Sequence, residues 1–171
     1  MGDFLGYRCS ICKVEYPPTQ VLYTCPLDGG NLDVVLDIKH LKQKYHVSDV
    51  TSRRETSLWR YLPLLPVPLP PAEGTPLGAA GYTPIYQPIQ LAEKLGMSRL
   101  WVKDESRNPT ASFKDRASAV VVARAIQIGA PVIVTASTGN AGAALAGMAA
   151  AAGQKAVIFA PRSAPPAKVA Q

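Results

Sequence analysis

Lys114 is the residue whose surroundings in this sequence most strongly indicate chemistry. It lies within NPTASFKDRASAVVVARA (residues 108–125), directly after Phe113 and directly before an amphipathic run rich in alanine and valine. Ser112 and Asp115 have the spacing of residues that begin a helix. The positive end of such a helix lowers the cost of a neutral amine, and Phe113 can give that amine apolar cover. Schiff-base chemistry requires a partly neutral lysine, although a solvated lysine in a first helical turn is the simpler explanation of this stretch alone.

A second candidate site lies in TASTGNAG (residues 135–142). A strand is predicted to end at about Ala136 and a helix to begin at about Asn140. The backbone amides of the turn then point outward at a helix N-terminus, where a carboxylate or phosphate is stabilised. Ser137, Thr138 and Asn140 add side-chain donors. The glycine spacing fits neither GxGxxG nor a Walker loop, and an ordinary strand-to-helix turn explains the segment equally well.

Together the two segments predict a site for an anionic carbonyl compound. Both follow predicted strands, and they lie one strand apart in the chain. A reactive lysine beside an anion-binding turn can form an imine with a carbonyl compound that also carries negative charge. Pyridoxal phosphate is the cofactor that matches this description.

The elements that position these segments alternate between strand and helix over residues 81–171. The predicted strands are RLWVKDE, PVIVTAS and KAVIFAP, the last two of them buried; the predicted helices are DRASAVVVARAIQIG, closed by Gly129, and AGAALAGMAAAAG, closed by Gly153. This order predicts an α/β fold with a doubly wound parallel sheet and right-handed crossovers. Ligands of such sheets lie beyond the carboxyl ends of the strands, where both candidate segments fall.

Two shorter regions come first. Residues 1–37 carry short β-type runs and cysteines, which predict a small zinc-ribbon-like piece. Residues 38–80 combine the helix-like IKHLKQKYHV with LPLLPVPLPP, whose prolines exclude helix interiors and central strands. We interpret this region as a helical segment followed by an extended linker that packs against a neighbouring domain, with a solvated linker as the alternative.

The cysteines indicate a metal site. Cys9 and Cys12 form a CxxC pair, and Cys25 begins a second pair in which Asp28 stands where the fourth cysteine would be. Three cysteines crowded into the first 25 residues fit metal binding better than a disulfide framework. Zinc accepts a carboxylate oxygen, so these four residues predict a zinc site. Four sulfur ligands are commoner in structural sites, and an empty, degenerate ribbon is the alternative.

A wider resemblance connects these features. VKDESRNPTASFKDR and ASTGNAG resemble the fold-type II pyridoxal-phosphate enzymes, and threonine synthase most closely. The resemblance continues through YTPIYQPIQLAEKLG and IFAPRSAPPAKVAQ, so that it covers the chain from about residue 59 to its end. CSIC and CPLDGG resemble the short cysteine-bearing N-terminal piece of the same enzymes.

The resemblance implies roles for individual residues. Lys114 would hold pyridoxal phosphate covalently and move protons, with Phe113 beside it, and Asn140 would hydrogen-bond the cofactor's ring hydroxyl. The residues implied to lie at the substrate are Thr83, Ser137, Thr138 and Gly139. At Thr83 the sequence GYTPI departs from the family's TPL. The family's glycine-rich phosphate loop and the residue facing the pyridine nitrogen are not among these 171 residues, so we expect a fragment of a longer enzyme, inactive alone.

The implied activity is that of a threonine-synthase-like lyase, which converts O-phosphohomoserine to threonine and phosphate. A threonine or serine dehydratase, or a cysteate synthase, is the alternative within the same fold. A zinc-ribbon binding module fused to an inactive α/β remnant is the alternative from another class.

The composition fits a protein that handles a small anionic molecule. Of the 171 residues 47% are hydrophobic and 18% charged, which excludes disorder, and the net charge of +6 is scattered, which argues against a nucleic-acid partner. No apolar run reaches the roughly 20 residues of a membrane span, and MGDFLGYRCS lacks the layout of a secretion signal. We therefore expect a cytoplasmic protein with a small phosphorylated amino acid as its partner; a homo-oligomer stays open.

Overall fold

The N-terminal region is a small antiparallel sheet in the computed structural model, which describes residues 3–20, 23–51 and 55–170. Its strands, in the spatial order β2-β1-β3, are β1 (Phe4–Cys9), β2 (Glu15–Tyr16) and β3 (Leu32–Leu36). Gly6 has a φ of +137°, and a Cβ there would overlap the Tyr16 carbonyl oxygen of the neighbouring strand. Only glycine permits so close a pairing of β1 with β2.

The middle region is a series of short helices that pack against the rest of the chain. They are α1 (Ile38–Lys44), α2 (Val47–Thr51), a 3-10 helix (Leu58–Leu64) and α3 (Pro76–Ala79). Trp59 is buried, and its indole N–H donates to the Leu77 carbonyl at 2.8 Å. Val67 is also buried in the main hydrophobic core. The proline-rich segment therefore packs instead of lying free in solvent.

The remaining elements alternate between strand and helix. They are β4 (Ile85–Tyr86), α4 (Ile89–Lys94), β5 (Val102–Lys103), a 3-10 helix (Glu105–Arg107), α5 (Lys114–Gln127), β6 (Ile133–Ala136), α6 (Asn140–Ala151), β7 (Ala156–Phe159) and α7 (Pro166–Ala170). Gly129 and Gly153 end the two long helices with φ values of +64° and +65°, as predicted. None of the helices in the described ranges has the length and apolar character that crossing a bilayer requires.

The sheet is smaller than predicted. β6 and β7 pair in parallel from Ile133↔Ala156 to Ala136↔Phe159, with α6 as their crossover helix, which confirms an α/β arrangement. The prediction that RLWVKDE joins the same sheet is wrong for the described residues. β5 pairs antiparallel with β4, and Lys103 Nζ also donates to the Thr83 carbonyl at 2.8 Å. These local hydrogen bonds hold β5 in a separate two-stranded sheet.

The main core lies between α5, α6 and one face of β6. Small side chains such as Ala119, Ala123 and Ala149 let α5 and α6 approach closely, and Met148 fills the space between them. On β6, Ile133 points into this core and Val134, 44% exposed, points away. The prediction of a wholly buried strand is therefore wrong, because successive side chains face opposite sides and helices cover one of them.

Candidate active site and metal cluster

Lys114 is the first residue of α5, and the loop before it is closed by hydrogen bonds. Ser112 Oγ accepts the Lys114 amide N–H at 3.1 Å. The buried carboxylate of Asp115 accepts the amide N–H of Thr110 at 2.7 Å and also the Thr110 hydroxyl. Ser112 and Asp115 thus begin the helix as predicted. Ala111, which lies between Thr110 and Ser112, adopts a φ of +54°, a backbone conformation that is strained for a residue with a Cβ.

The Lys114 amine is accessible. Its side chain is exposed, and its ammonium group has no hydrogen bond or ion pair within the part of the chain that the structure describes. Phe113 does not cover it as expected: the ring is 60% exposed and lies 6.0 Å from the Arg116 guanidinium. The buried face of α5 carries Asp115 and Ser118 instead. Phe113, the residue before the helix, lies outside that face, and its ring therefore faces solvent.

The turn between β6 and α6 presents unpaired amides. Ser137 Oγ accepts the amide N–H groups of Gly139 at 3.3 Å and Gly142 at 3.1 Å, so this side chain caps the helix. Among the described residues, the amides of Thr138, Asn140 and Ala141 have no hydrogen-bond partner. The Asn140 side chain is exposed at the same end. The turn can therefore receive an anion at a helix N-terminus.

The two candidate segments meet on α6. A Cβ at Gly147 would lie 2.6 Å from Thr110 Cγ2, so the loop before Lys114 rests directly on this helix. Gly147 follows Asn140 by two helical turns, about 10 Å along the axis. Glycine at this position lets the lysine loop pack onto the helix whose first residue is Asn140.

Thr83 belongs to a network of polar side chains beside the first turn of α5. Its hydroxyl donates to Glu105 Oε1 at 2.8 Å, and Arg116 donates to both Glu105 carboxylate oxygens at 2.8 and 2.9 Å. Asn108 adds a 2.7 Å hydrogen bond to Glu105 and accepts the amide N–H of Gly81 at 2.9 Å. The Arg116 hydrogen bonds hold the pKa of Glu105 at about 2. The Thr83 hydroxyl, buried and already bonded, joins the segment around it to α5.

Part of this network could be read from the sequence. The alternating charges around Lys103 and Arg116 predict that Asp104, Glu105 and Asp115 form structural ion pairs. The Glu105–Arg116 ion pair confirms this for Glu105. In the described part of the chain, Asp104 instead accepts hydrogen bonds from Ser106, and Asp115 accepts them from Thr110. The participation of Asn108 was missed; the one local signal was its place before Pro109, where turns begin. Its bond to Gly81 joins positions 27 residues apart, which no local pattern specifies.

The four predicted metal ligands lie together. The Sγ atoms of Cys9, Cys12 and Cys25 and a carboxylate oxygen of Asp28 all lie within 4.8 Å of one another. The cysteines are free thiols, two of them buried. The Gly30 amide donates to Asp28 Oδ1 at 2.8 Å and holds the pKa of that carboxyl well below its usual value.

Comparison with known proteins shows which family the chain belongs to. Residues 77–171 match the family described as pyridoxal-phosphate dependent enzyme. The chain belongs to this family. It is 39% identical over 155 residues to threonine synthase of Methanocaldococcus jannaschii, a match that covers 90% of this chain and 37% of that protein. It is 32% identical over 164 residues to cysteate synthase of Methanoregula boonei, covering 92% of this chain and 35% of that protein.

A solved structure, the O-acetylserine dependent cystathionine beta-synthase from Helicobacter pylori, matches 57% of this chain and 33% of its own with a TM-score of 0.49 and 25% identity. The chain spans a little over a third of the length of the curated relatives it matches. The predicted membership of the pyridoxal-phosphate enzymes and the similarity to threonine synthases are confirmed. The roles assigned to individual residues stay predictions.

The residues present fit pyridoxal phosphate. An accessible lysine amine begins one helix, and unpaired amides with an exposed Asn140 begin another. Because the Thr110 loop rests on α6, both groups belong to one packed unit. The amine can form an imine with the cofactor's aldehyde, and the unpaired amides can bind the carboxylate of an amino-acid substrate beside it.

Proposed function

We propose that this chain is part of a threonine-synthase-like lyase that uses pyridoxal phosphate to convert O-phosphohomoserine and water to threonine and phosphate. The single observation that carries the proposal is the accessible amine of Lys114 on a loop that packs on α6, whose first amides are unpaired. Similarity to threonine synthases over 90% of the chain supports the substrate.

Lys114 serves twice in this proposal. Its Nζ would hold pyridoxal phosphate covalently through the cofactor's aldehyde and would be released when the substrate's amino group takes its place. When bound, pyridoxal phosphate withdraws electrons from the substrate's α-carbon. The freed Lys114 Nζ accepts the proton that leaves this carbon and moves protons among the α, β and γ carbons as phosphate departs and water adds.

The α6 turn orients the reacting molecules. The free amides of Thr138, Asn140 and Ala141 bind the substrate's carboxylate, and the Asn140 side chain donates to the cofactor's ring hydroxyl. Ser137 supports the turn because its hydroxyl oxygen accepts the Gly139 and Gly142 amides. Thr83 acts at a distance, through its hydrogen bonds to Glu105 and Arg116.

The first test is to find the lysine that binds the cofactor. Borohydride reduction in the presence of pyridoxal phosphate, followed by peptide mapping, is expected to place the pyridoxyl group on Lys114, and Lys114→Ala is expected to abolish the label. Lys103 is the matched control, because its amine is already bonded to the Thr83 carbonyl. A label on Lys103 that persists in Lys114→Ala would contradict the proposal.

The second test separates the substrates. The natural gene product that carries this chain is supplied with pyridoxal phosphate and either O-phosphohomoserine or O-phosphoserine with sulfite. Threonine with phosphate supports the proposal, whereas cysteate with phosphate supports the alternative suggested by the 32% identical cysteate synthase. Ammonia released from threonine or serine would indicate a dehydratase. If none of these three reactions occurs and borohydride reduction leaves Lys114 without a pyridoxyl group, the results would favour a zinc-ribbon binding module with an inactive α/β remnant.

We also propose that zinc occupies the cluster of Cys9, Cys12, Cys25 and Asp28 as a structural ion. Three thiolates and one carboxylate are donors that zinc accepts, and the thiols of Cys9 and Cys25 are buried. Free thiols also suit a reducing compartment, and on this ground we propose that the protein is cytoplasmic.

A further inference from the structure

Two of the spacings between donor atoms in the N-terminal cluster are close to those of a tetrahedral zinc site. Bonds of about 2.3 Å to sulfur and about 2.1 Å to oxygen place neighbouring sulfurs about 3.8 Å apart, and a sulfur about 3.6 Å from an oxygen. The Cys12 and Cys25 Sγ atoms are 3.7 Å apart. Cys9 Sγ lies 3.3 Å and 3.5 Å from the two carboxylate oxygens of Asp28. The carboxylate therefore stands where a fourth sulfur ligand would stand.

The backbone around the cluster is shaped to hold this carboxylate. The amide N–H of Gly30 donates to Asp28 Oδ1 at 2.8 Å, and that of Cys12 donates to Oδ2 at 3.2 Å. A Cβ at Gly30 would lie 2.7 Å from Cys9 Sγ and 2.9 Å from Asp28 Oδ1, so a larger residue would push sulfur and carboxylate apart. Such outer hydrogen bonds orient a metal ligand and leave a lone pair on each oxygen for the ion.

We infer that Asp28 binds the metal directly and that the site holds one ion through three sulfurs and one oxygen. The inference rests on the zinc proposed above and deepens it by stating what a directly bound Asp28 does to the metal preference of the site. A carboxylate is a harder ligand than a thiolate, so it disfavours soft ions. Asp28 therefore biases the site toward zinc and away from cadmium, compared with a site of four cysteines.

The test compares Asp28→Asn and Asp28→Cys with the unaltered chain, using zinc, cobalt and cadmium chlorides as probes. Asp33→Asn is the matched control, because Asp33 is exposed in β3 and outside the cluster. We expect Asp28→Asn to weaken zinc binding about tenfold or more, because loss of even a hydrogen-bond partner of a metal ligand lowers metal affinity by that factor. Asp28→Cys is expected to raise the thiolate-to-cobalt charge-transfer absorption by about one third, from three sulfurs to four.

Metal preference gives an independent readout. The cadmium-to-zinc affinity ratio is expected to rise about tenfold in Asp28→Cys, because a soft ligand replaces a hard one. X-ray absorption of the unaltered zinc-loaded chain should give three sulfurs and one oxygen, which does not depend on any variant folding. Zinc binding that is unchanged in Asp28→Asn, with unchanged cobalt absorption in Asp28→Cys, would overturn the inference but leave zinc binding by the three cysteines standing. Absence of zinc binding by the unaltered chain would overturn both.

Discussion

Lys114 owes its exposure to the residues around it, which fix the backbone without covering the amine. The most strained of them is Ala111, whose φ of +54° lies in the left-handed region. The Asp115 carboxylate holds Ala111 in this conformation because it accepts the amide N–H of Thr110, the residue before Ala111. A residue with a Cβ loses roughly 1–2 kcal/mol in this conformation, so the loop stores strain directly beside the candidate catalytic amine.

This strain gives a prediction for Ala111→Gly. Glycine adopts a positive φ without a steric penalty, so we expect the free energy of unfolding to rise by about 1 kcal/mol, measured as a higher urea midpoint. The matched control is Ala117→Gly, at an exposed position inside α5, which is expected to lower the free energy of unfolding by about 1 kcal/mol. A lower urea midpoint for Ala111→Gly would show that the loop is not strained.

Ser137 and Asn140 lie three residues apart and are expected to respond differently to truncation. Ser137→Ala removes the oxygen that caps α6 and should lower the free energy of unfolding by about 0.5–2 kcal/mol. Asn140→Ala removes an exposed side chain and should leave stability within about 0.5 kcal/mol, while weakening pyridoxal-phosphate binding by about 1–3 kcal/mol. Urea unfolding and cofactor titration separate the two effects. Equal loss of stability in both variants would mean that Asn140 is structural.

At the scale of elements, the long helices were predictable and the strand pairing was not. α5 and α6 have local signals: capping residues at one end and a left-handed glycine at the other. The antiparallel pairing of β5 with β4 depends on hydrogen bonds between distant segments, and a two-residue strand has no periodicity to reveal them. The exposure of Val134 likewise depends on which face the helices cover.

The Glu105–Arg116 ion pair joins the 3-10 helix Glu105–Arg107 to α5 and makes stability depend on pH. Arg116 holds the pKa of Glu105 at about 2 in the folded chain, below the ordinary 4.5. The stabilisation is therefore complete above about pH 4.5 and is lost as the pH falls toward 2. Glu105→Gln should lower the free energy of unfolding by about 1–3 kcal/mol at neutral pH and flatten its decline between those pH values.

Urea unfolding at several pH values measures both effects of Glu105→Gln. Glu93→Gln is the control, because Glu93 is exposed in α4, outside the network. A variant as stable as the unaltered chain at neutral pH would show that the ion pair contributes nothing.

At the scale of the whole molecule, the N-terminal sheet is attached to the helix that begins with Lys114. Arg124, in the last turn of α5, donates to the Pro18 carbonyl at 2.9 Å, and its other terminal nitrogen donates to Gln127 at 2.8 Å. Pro18 follows Tyr16, whose hydroxyl lies 3.0 Å from Cys25 Sγ in the metal cluster. One helix, α5, thus begins at the candidate active site and ends beside the segment that leads to the candidate metal site. The two residues that make this contact, Pro18 and Arg124, are 106 positions apart in the chain.

Arg124→Ala is expected to loosen this attachment without melting either part. A hydrogen bond from a charged group contributes about 1.5–3 kcal/mol, less where the pair is partly exposed, so the segment around Pro18 should open more often while α5 persists. Amide hydrogen exchange should become faster at Gln20, whose N–H donates to the Pro17 carbonyl at 3.1 Å beside the lost contact, and stay unchanged inside α5. Arg107→Ala, at an exposed position remote from the N-terminal sheet, is the control. Unchanged exchange beside Pro18 in Arg124→Ala would mean that other contacts hold the N-terminal sheet in place.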